Sequence, residues 1–185
     1  TPGELLEAGW PGEVLRLSLL SAHYRQPLKW DDALLEQSKN TLDSWYGTLR
    51  RSPAPSAGFE DDDVENFFFD FLKEDLNIPQ ALPHLHDEAR ALNDLNDREA
   101  QDSVREFSRF AFQTKAKVLG LLQADPTAWF TAGADSTAIE ADLTRYREAR
   151  AAKDWVAADS IRDTLKAQGI EISVGKDGTT SWRKA

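Results

Sequence analysis

The sequence contains no cysteine, which excludes a disulfide scaffold, thiolate zinc sites, iron–sulfur clusters and any cysteine nucleophile. Methionine is also absent, and the chain opens Thr1-Pro2-Gly3, as expected of a piece of something longer. No apolar run approaches the roughly 20 residues that span a bilayer, and no secretory signal precedes the first helical pattern, so no membrane partner is expected. A glycine-rich phosphate loop, a nucleophile elbow and a His-Glu-x-x-His pair are all missing, which leaves no catalytic residue to nominate. Basic side chains are the minority, 22 against 32 acidic ones, for a net charge of −10. What is there suffices for folding: 185 residues, 41% apolar and 10% aromatic. Such a chain is one domain or a domain with an appendage, buries roughly 70% of its unfolded surface without a staple, and is not disordered.

The charge is unevenly spread. Residues 141–185 hold nine Lys/Arg against seven Asp/Glu, a balance of +2, whereas residues 1–140 hold 13 against 25, a balance of −12. A phosphate backbone is repelled by most of the larger part and tolerated by the smaller.

Helical periodicity dominates. The spacing predicts a helix over 12–24 with Val14, Leu17, Leu20 and Tyr24 on one side, although alternating Leu15, Leu17 and Leu19 leave a strand open. Gln26-Pro27 breaks it. Asp31 or Asp32 opens a long helix with the stripe Leu35, Ser38, Leu42, Trp45 and Leu49, acids at its start and Arg50-Arg51 at its end. After a Pro/Ala/Ser loop at 52–58, a third helix is expected over 60–75, with the acids 60–63 in its first turn. A fourth starts at Pro79, which suits a first turn, and runs to about Leu95. A fifth, over about 97–123, repeats Val104, Phe107, Ala111, Thr114, Val118 and Leu121 before Asp125-Pro126 stops it. Five such helices make a bundle over 1–130.

Beyond a loop at 130–134 the character changes. A helix over 136–152 carries Ile139, Leu143 and Tyr146, and Asp154 caps a shorter one over 155–168 that Gly169 terminates. The tail, with Ile170 to Val174 and Thr179 to Trp182 around a glycine-bounded turn, predicts a β-hairpin. The fold class is therefore mainly α: a helical bundle followed, over 135–185, by a two-helix plus β-hairpin module.

His84-Leu85-His86 suggests a metal, but residues two apart on a helix point about 200° away from each other, so two separate imidazoles are expected and no metal. The acids 60–63 read as a helix start rather than a cation site. The run Phe67-Phe68-Phe69-Asp70-Phe71 covers too wide an arc for one groove, so part of it is expected to face another segment. Trp155, Asp159 and Arg162 differ from these. At i, i+4 and i+7 they lie within about 60° on one helix face. An indole offers a stacking plane, a carboxylate accepts from base amines, and a guanidinium donates a fork to paired acceptors. Unstacked bases of RNA loops are the usual target of such sets. The alternative is structural: Trp155 packs between the two helices while Asp159 and Arg162 form a surface ion pair. Residue chemistry leaves both open.

The residues Ala151-Ala-Lys-Asp-Trp155-Val-Ala-Ala-Asp159-Ser-Ile-Arg162-Asp163, with Gly169-Ile170 and Gly178-Thr-Thr-Ser-Trp182, resemble the C-terminal end of the bacterial cysteinyl-tRNA synthetase family. Trp10-Pro-Gly-Glu-Val-Leu-Arg16 and Leu19-Leu-Ser-Ala-His-Tyr-Arg-Gln-Pro-Leu28 are similar to the stretch after that family's KMSKS loop, and Glu74-Asp-Leu-Asn-Ile-Pro79 is close to its Asp-Asp-Leu-Asn-Thr-Pro pattern. The resemblance implies a DALR-type anticodon-binding bundle, with residues 1–30 ending a stem-contact segment, then a C-terminal anticodon-recognition module. It implies a class I aminoacyl-tRNA synthetase as parent, a cytoplasmic enzyme that joins cysteine to its tRNA using ATP. The catalytic domain, with its HIGH motif, ATP site and zinc, would lie upstream, so this piece is expected to be inactive alone, to hold no cofactor and to be a monomer. Carried over by residue, Trp155 stacks on an anticodon base, Asp159 reads base edges, and Arg150 and Arg162 assist through base or phosphate contacts.

Two departures from the family pattern bear on this. Val174 stands where the family has an acidic residue, with Asp177 as the candidate substitute, and Ser181 is inserted before Trp182. Ile78 replaces a capping threonine, so Asn77 is expected to cap. Two rivals remain: the related ligase of mycothiol synthesis, which typically lacks the C-terminal module, and a helical module that binds protein through the aromatic run at 67–71.

Overall fold

The computed structural model describes residues 1–56, 58–60, 64, 67–131, 136–174 and 180–184. The expected acids 61–63, most of the loop at 130–134, and the hairpin turn with Asp177 lie outside the described residues. The chain forms two compact units, Thr1–Pro126 and Thr127–Ala185.

The first unit opens with α1 (Pro2–Glu7), where no helix was expected. Its cause is a capping box: the Thr1 hydroxyl accepts from the Glu4 N–H while the Glu4 carboxylate takes the amino terminus at 2.6 Å. Helix α2 (Gly12–Leu20) buries Val14, Leu15, Leu17 and Ser18, which excludes the strand alternative. It also ends sooner than expected. Tyr24 is not on its core face but 60% exposed, hydrogen-bonded to Asp75 at 2.7 Å. Helix α3 (Asp32–Arg51) begins where the Asp31 carboxylate accepts from the Leu34 N–H at 3.0 Å, and it buries the expected stripe Leu35, Ser38, Leu42, Trp45 and Leu49. The buried Ser18 hydroxyl bridges the Val14 carbonyl and the Ser38 hydroxyl, at 2.9 and 2.8 Å, where α2 meets α3.

The third expected helix is shorter than its pattern. Phe59 and Glu60 are outside any helix, and α4 is Phe67–Lys73 alone. Within its aromatic run, Phe68 is buried against Phe69, and Phe71 stacks on His84 with ring centroids 4.9 Å apart. Helix α5 (Ile78–Asp97) has Pro79 in its first turn as expected. Asn77 occupies the N-cap position, but its side chain makes no capping hydrogen bond, contrary to expectation. Helix α6 (Asp102–Val118) packs on α5 and departs most from its pattern. The expected core residues Val104, Phe107 and Val118 are exposed, the last by 55%. Its buried face is Phe112, Lys115 and Ala116.

Satisfied cations explain that rotation. Arg109 donates to the Leu49 and Ser52 carbonyls at 3.1 and 2.8 Å, closing the C-terminus of α3, and Lys115 pairs with Glu88 on α5. Partial burial lowers the pKa of Arg109, and the two carbonyls compensate the half-buried guanidinium. Asp125-Pro126 is not a stop either: Pro126 is the first residue of α7 (Pro126–Thr131), where a missing N–H costs nothing.

One carboxylate ties the start of this unit to its end. Glu13, in the first turn of α2, accepts from the Tyr46 hydroxyl at 2.9 Å and from the Leu122 and Gln123 N–H groups at 2.9 Å each. The Tyr46 oxygen in turn accepts from the Ala124 N–H at 3.1 Å. Burial is the main reason the Tyr46 pKa is raised, so its hydroxyl stays protonated and donates. Leu121 is buried as expected, but from the loop that this cluster holds and not from a helix.

In the second unit α8 (Ser136–Ala151) and α9 (Trp155–Ala167) form an αα-hairpin, followed by β1 (Ile170–Val174) paired antiparallel with β2 (Thr180–Lys184). Ile139 and Leu143 from α8, Leu165 from α9, and Ile170 and Trp182 from the strands make its core. The register sets Ile172 opposite Trp182, and the period of two brings Ile170 and Ile172 to one face. Gly169, at φ +73°, ends α9 as expected.

Replacing Tyr46 by Phe should cost about 1–3 kcal/mol in denaturant unfolding, because the Ala124 N–H and one lone pair of Glu13 lose a buried partner. Tyr24→Phe, at an exposed hydroxyl, should stay within about 0.5 kcal/mol of the parent.

Candidate functional site

The turn between α8 and α9 is tight and fully bonded. The Ala152, Lys153 and Asp154 N–H groups donate back to the Glu148, Arg150 and Ala149 carbonyls at 2.9, 3.1 and 2.9 Å. Lys153 adopts φ +59°, a left-handed conformation that turns the chain sharply enough for the Asp154 carboxylate to cap α9, accepting from the Ala157 N–H at 3.0 Å. Trp155 is thereby fixed as the first residue of α9.

The indole is not in the core. Trp155 is 57% exposed, against 6% for Trp182, whose Nε1–H donates to Glu140 at 2.9 Å. The structural alternative is overturned in that half: the space between the two helices is filled by Leu143 and Leu165, and Trp155 stands outside it. The other half is observed. Asp159 and Arg162 are paired at 2.9 Å with both side chains more than half exposed. An exposed pair of this kind contributes under about 1 kcal/mol, so either partner opens readily toward a ligand.

Around α9 the buried positions Ala158 and Leu165, with half-buried Ile161, lie on one side. Trp155, Asp159 and Arg162 lie roughly 100° away on an exposed face, as their spacing implies. Lys166 continues that face. Its interval of four from Arg162 is visible in the sequence. Arg150, in the last turn of α8, lies over the Tyr146 ring with its guanidinium carbon 5.8 Å from the centroid, and Lys153 is exposed in the turn. Val174, at the position where an acid was expected, is 41% exposed. The arrangement offers a flat apolar ring, one acceptor and two donors on a rigid helix.

The two imidazoles are apart in role: His84 stacks on Phe71, and His86 meets the edge of Trp45 at 5.1 Å. Among the described residues no group of three His, Asp or Glu side chains is placed to hold a metal ion. Among them also, no helix is long and apolar enough to cross a membrane.

The fold is that of a helical bundle joined in sequence to a small two-helix and hairpin module, and residues 68–123 match the DALR domain family. The chain is 38% identical to the cysteine–tRNA ligase of Wolbachia sp. subsp. Brugia malayi over 97% of its length, and 44% identical to that of Caulobacter vibrioides over 98%. The cysteine–tRNA ligase of Parvibaculum lavamentivorans is 41% identical over 95%. The chain belongs to the cysteine–tRNA ligase family. It spans about two fifths of the length of these relatives, 40%, 39% and 37% in turn.

Trp155→Ala should change unfolding free energy by less than about 1 kcal/mol, since the ring is mostly in solvent. Trp182→Ala removes a core ring and should cost about 3–5 kcal/mol, lowering the unfolding midpoint of the second unit.

Proposed function

We propose that this chain is a tRNA-binding part of a cysteine–tRNA ligase, with the exposed face of α9 receiving unpaired anticodon bases. Trp155 stacks on one base, Asp159 accepts from base amines, and Arg162 and Arg150 donate to bases or phosphates. Asp177 is kept as a further anticodon contact, and Lys166 adds a cation at the far end of the face. The observation that carries this reading is the indole: a protein leaves a large ring in water on a rigid helix start at a cost, and stacking on a base contributes about 1–3 kcal/mol. The similarity to cysteine–tRNA ligases supports an anticodon base as the occupant and a cysteine acceptor as the tRNA.

On this reading the whole ligase joins cysteine to its tRNA at the expense of ATP, in the cytoplasm and as a monomer. The ATP and zinc chemistry belongs to the portion of the relatives that these residues do not span, and the chain by itself should give no ATP–pyrophosphate exchange. Its charge restricts how RNA approaches. Residues 1–140 carry −12 and residues 141–185 carry +2, so RNA is received at the second unit and touches the first along a narrow strip. Against the protein-binding rival, Phe68 is buried and Phe69 and Phe71 are half-buried.

Titration of cysteine-acceptor tRNA transcripts measures this directly. Binding should depend on the anticodon, and Trp155→Ala should weaken it by about 5- to 150-fold, the equivalent of one lost base stack. Binding that ignores both the anticodon and Trp155 would refute the assignment of α9.

A further inference from the structure

In the second unit α8 carries one stripe, Ile139, Leu143 and Tyr146, at intervals of four and three, and Arg150 takes the next interval of four. Ile139 and Leu143 belong to the core of the unit, and Tyr146 is 6% exposed. Arg150 therefore leaves α8 on the core-facing azimuth, where the stripe runs out into solvent. Its backbone is fixed by the turn, because the Arg150 carbonyl accepts from the Lys153 N–H at 3.1 Å. Trp155 opens α9 five residues later, so both side chains stand at the turn end of one αα-hairpin.

The guanidinium is held as well as placed. Its carbon lies 5.8 Å from the centroid of the Tyr146 ring, within reach of the ring's negative face. Arg145, Arg147 and Arg162 of the same unit pair with the Asp142, Glu140 and Asp159 carboxylates. A carboxylate cancels the charge of its partner and occupies its donors. A ring does neither: it restrains a long side chain and supplies no oxygen to the fork. Burial makes Tyr146 a fixed platform for this, since close packing around a ring also locks its rotamer.

We propose that Tyr146 is a positioning residue, its ring holding the Arg150 fork at the turn end of the hairpin so that Arg150 contributes to discrimination among the bases received there. This rests on the tRNA reading above. Tyr146 acts through Arg150 and is not itself a contact.

Two readouts test it, one of them without RNA. In the free protein the Arg150 side-chain protons should carry an upfield ring-current shift in NMR spectra, which Tyr146→Phe keeps and Tyr146→Leu removes. Titration of tRNA transcripts varied at each anticodon base then measures discrimination. Arg150→Ala should lower the preference at one base by about 5- to 150-fold, the equivalent of one lost bidentate contact. Tyr146→Leu, measured below its thermal midpoint, should lower the same preference by about 2- to 5-fold, and Tyr146→Phe should preserve it. Tyr146→Leu combined with Arg150→Ala should discriminate no worse than Arg150→Ala alone. If Tyr146→Leu weakens binding to every anticodon alike and leaves the preference intact, the ring is merely structural and the proposal is overturned. A parent spectrum without the ring-current shift overturns it as well. So does an Arg150→Ala variant that discriminates like the parent, although Trp155→Ala still weakening binding would leave the α9 reading standing. Binding by the parent that ignores the anticodon removes both, and the ring-current shift then reports packing alone.

Discussion

A carboxylate taken from water needs a full complement of donors, and Glu13 finds three of them on segments far apart in sequence. Its oxygens hold the hydroxyl of Tyr46 on α3 and two amides of the loop after α6, a separation of 109 residues for Leu122. The loop needs the carboxylate as much as the carboxylate needs the loop. Leu122 lies at φ +55°, a conformation that costs a branched side chain about 1–2 kcal/mol, and its N–H would otherwise be an orphan. The Tyr46 hydroxyl closes the cluster by donating to Glu13 and accepting from Ala124. With Glu13 occupied, Arg16 one turn later has no partner among the described residues and lies against Gly120. A single anchoring interaction thus joins the start of the bundle, α3 and the loop after α6.

The second unit applies the same economy to its two indoles. Trp182 completes the core with Leu143 and Leu165, and its N–H is satisfied by Glu140. Trp155 is excluded from that core by the geometry of the α8–α9 turn, where left-handed Lys153 and the Asp154 cap set the phase of α9. Once the phase is set by the buried Ala158 and Leu165, Trp155, Asp159, Arg162 and Lys166 can only face outward. The ion pair between Asp159 and Arg162 neutralises the face at rest and yields easily, which suits groups that exchange one another for a ligand.

Much of this was legible in the chain itself. The α3 stripe, the Pro79 start of α5, the Asp154 cap, the Gly169 stop and the paired terminal strands follow from local rules of capping, periodicity and turn chemistry. Failures came where polar groups behave as core. On α6 the apolar pattern of Val104, Phe107 and Val118 pointed to the wrong face, because Lys115 is buried and Arg109 half-buried. Their partners, the Leu49 and Ser52 carbonyls and the Glu88 carboxylate, sit on other helices. No window of sequence shows that a cation will find such partners. The same holds for Asn77, whose side chain was available to cap but does not.

The candidate face divides along the same line. Residue order alone determined that an indole, an acid and a guanidinium recur at intervals of four and three, since a helix has 3.6 residues per turn and the spacing fixes their common azimuth. It also determined the charge contrast between the two parts of the chain and the family to which the chain belongs. Whether that azimuth points inward or outward was decided only by tertiary packing, because burial depends on which apolar side chains from α8 and the hairpin arrive to fill the core. So too with Arg16: its charge is written in the sequence, but its freedom is not. That depends on Glu13 being claimed by groups more than a hundred residues away, an outcome of long-range hydrogen-bond satisfaction that local pattern does not encode.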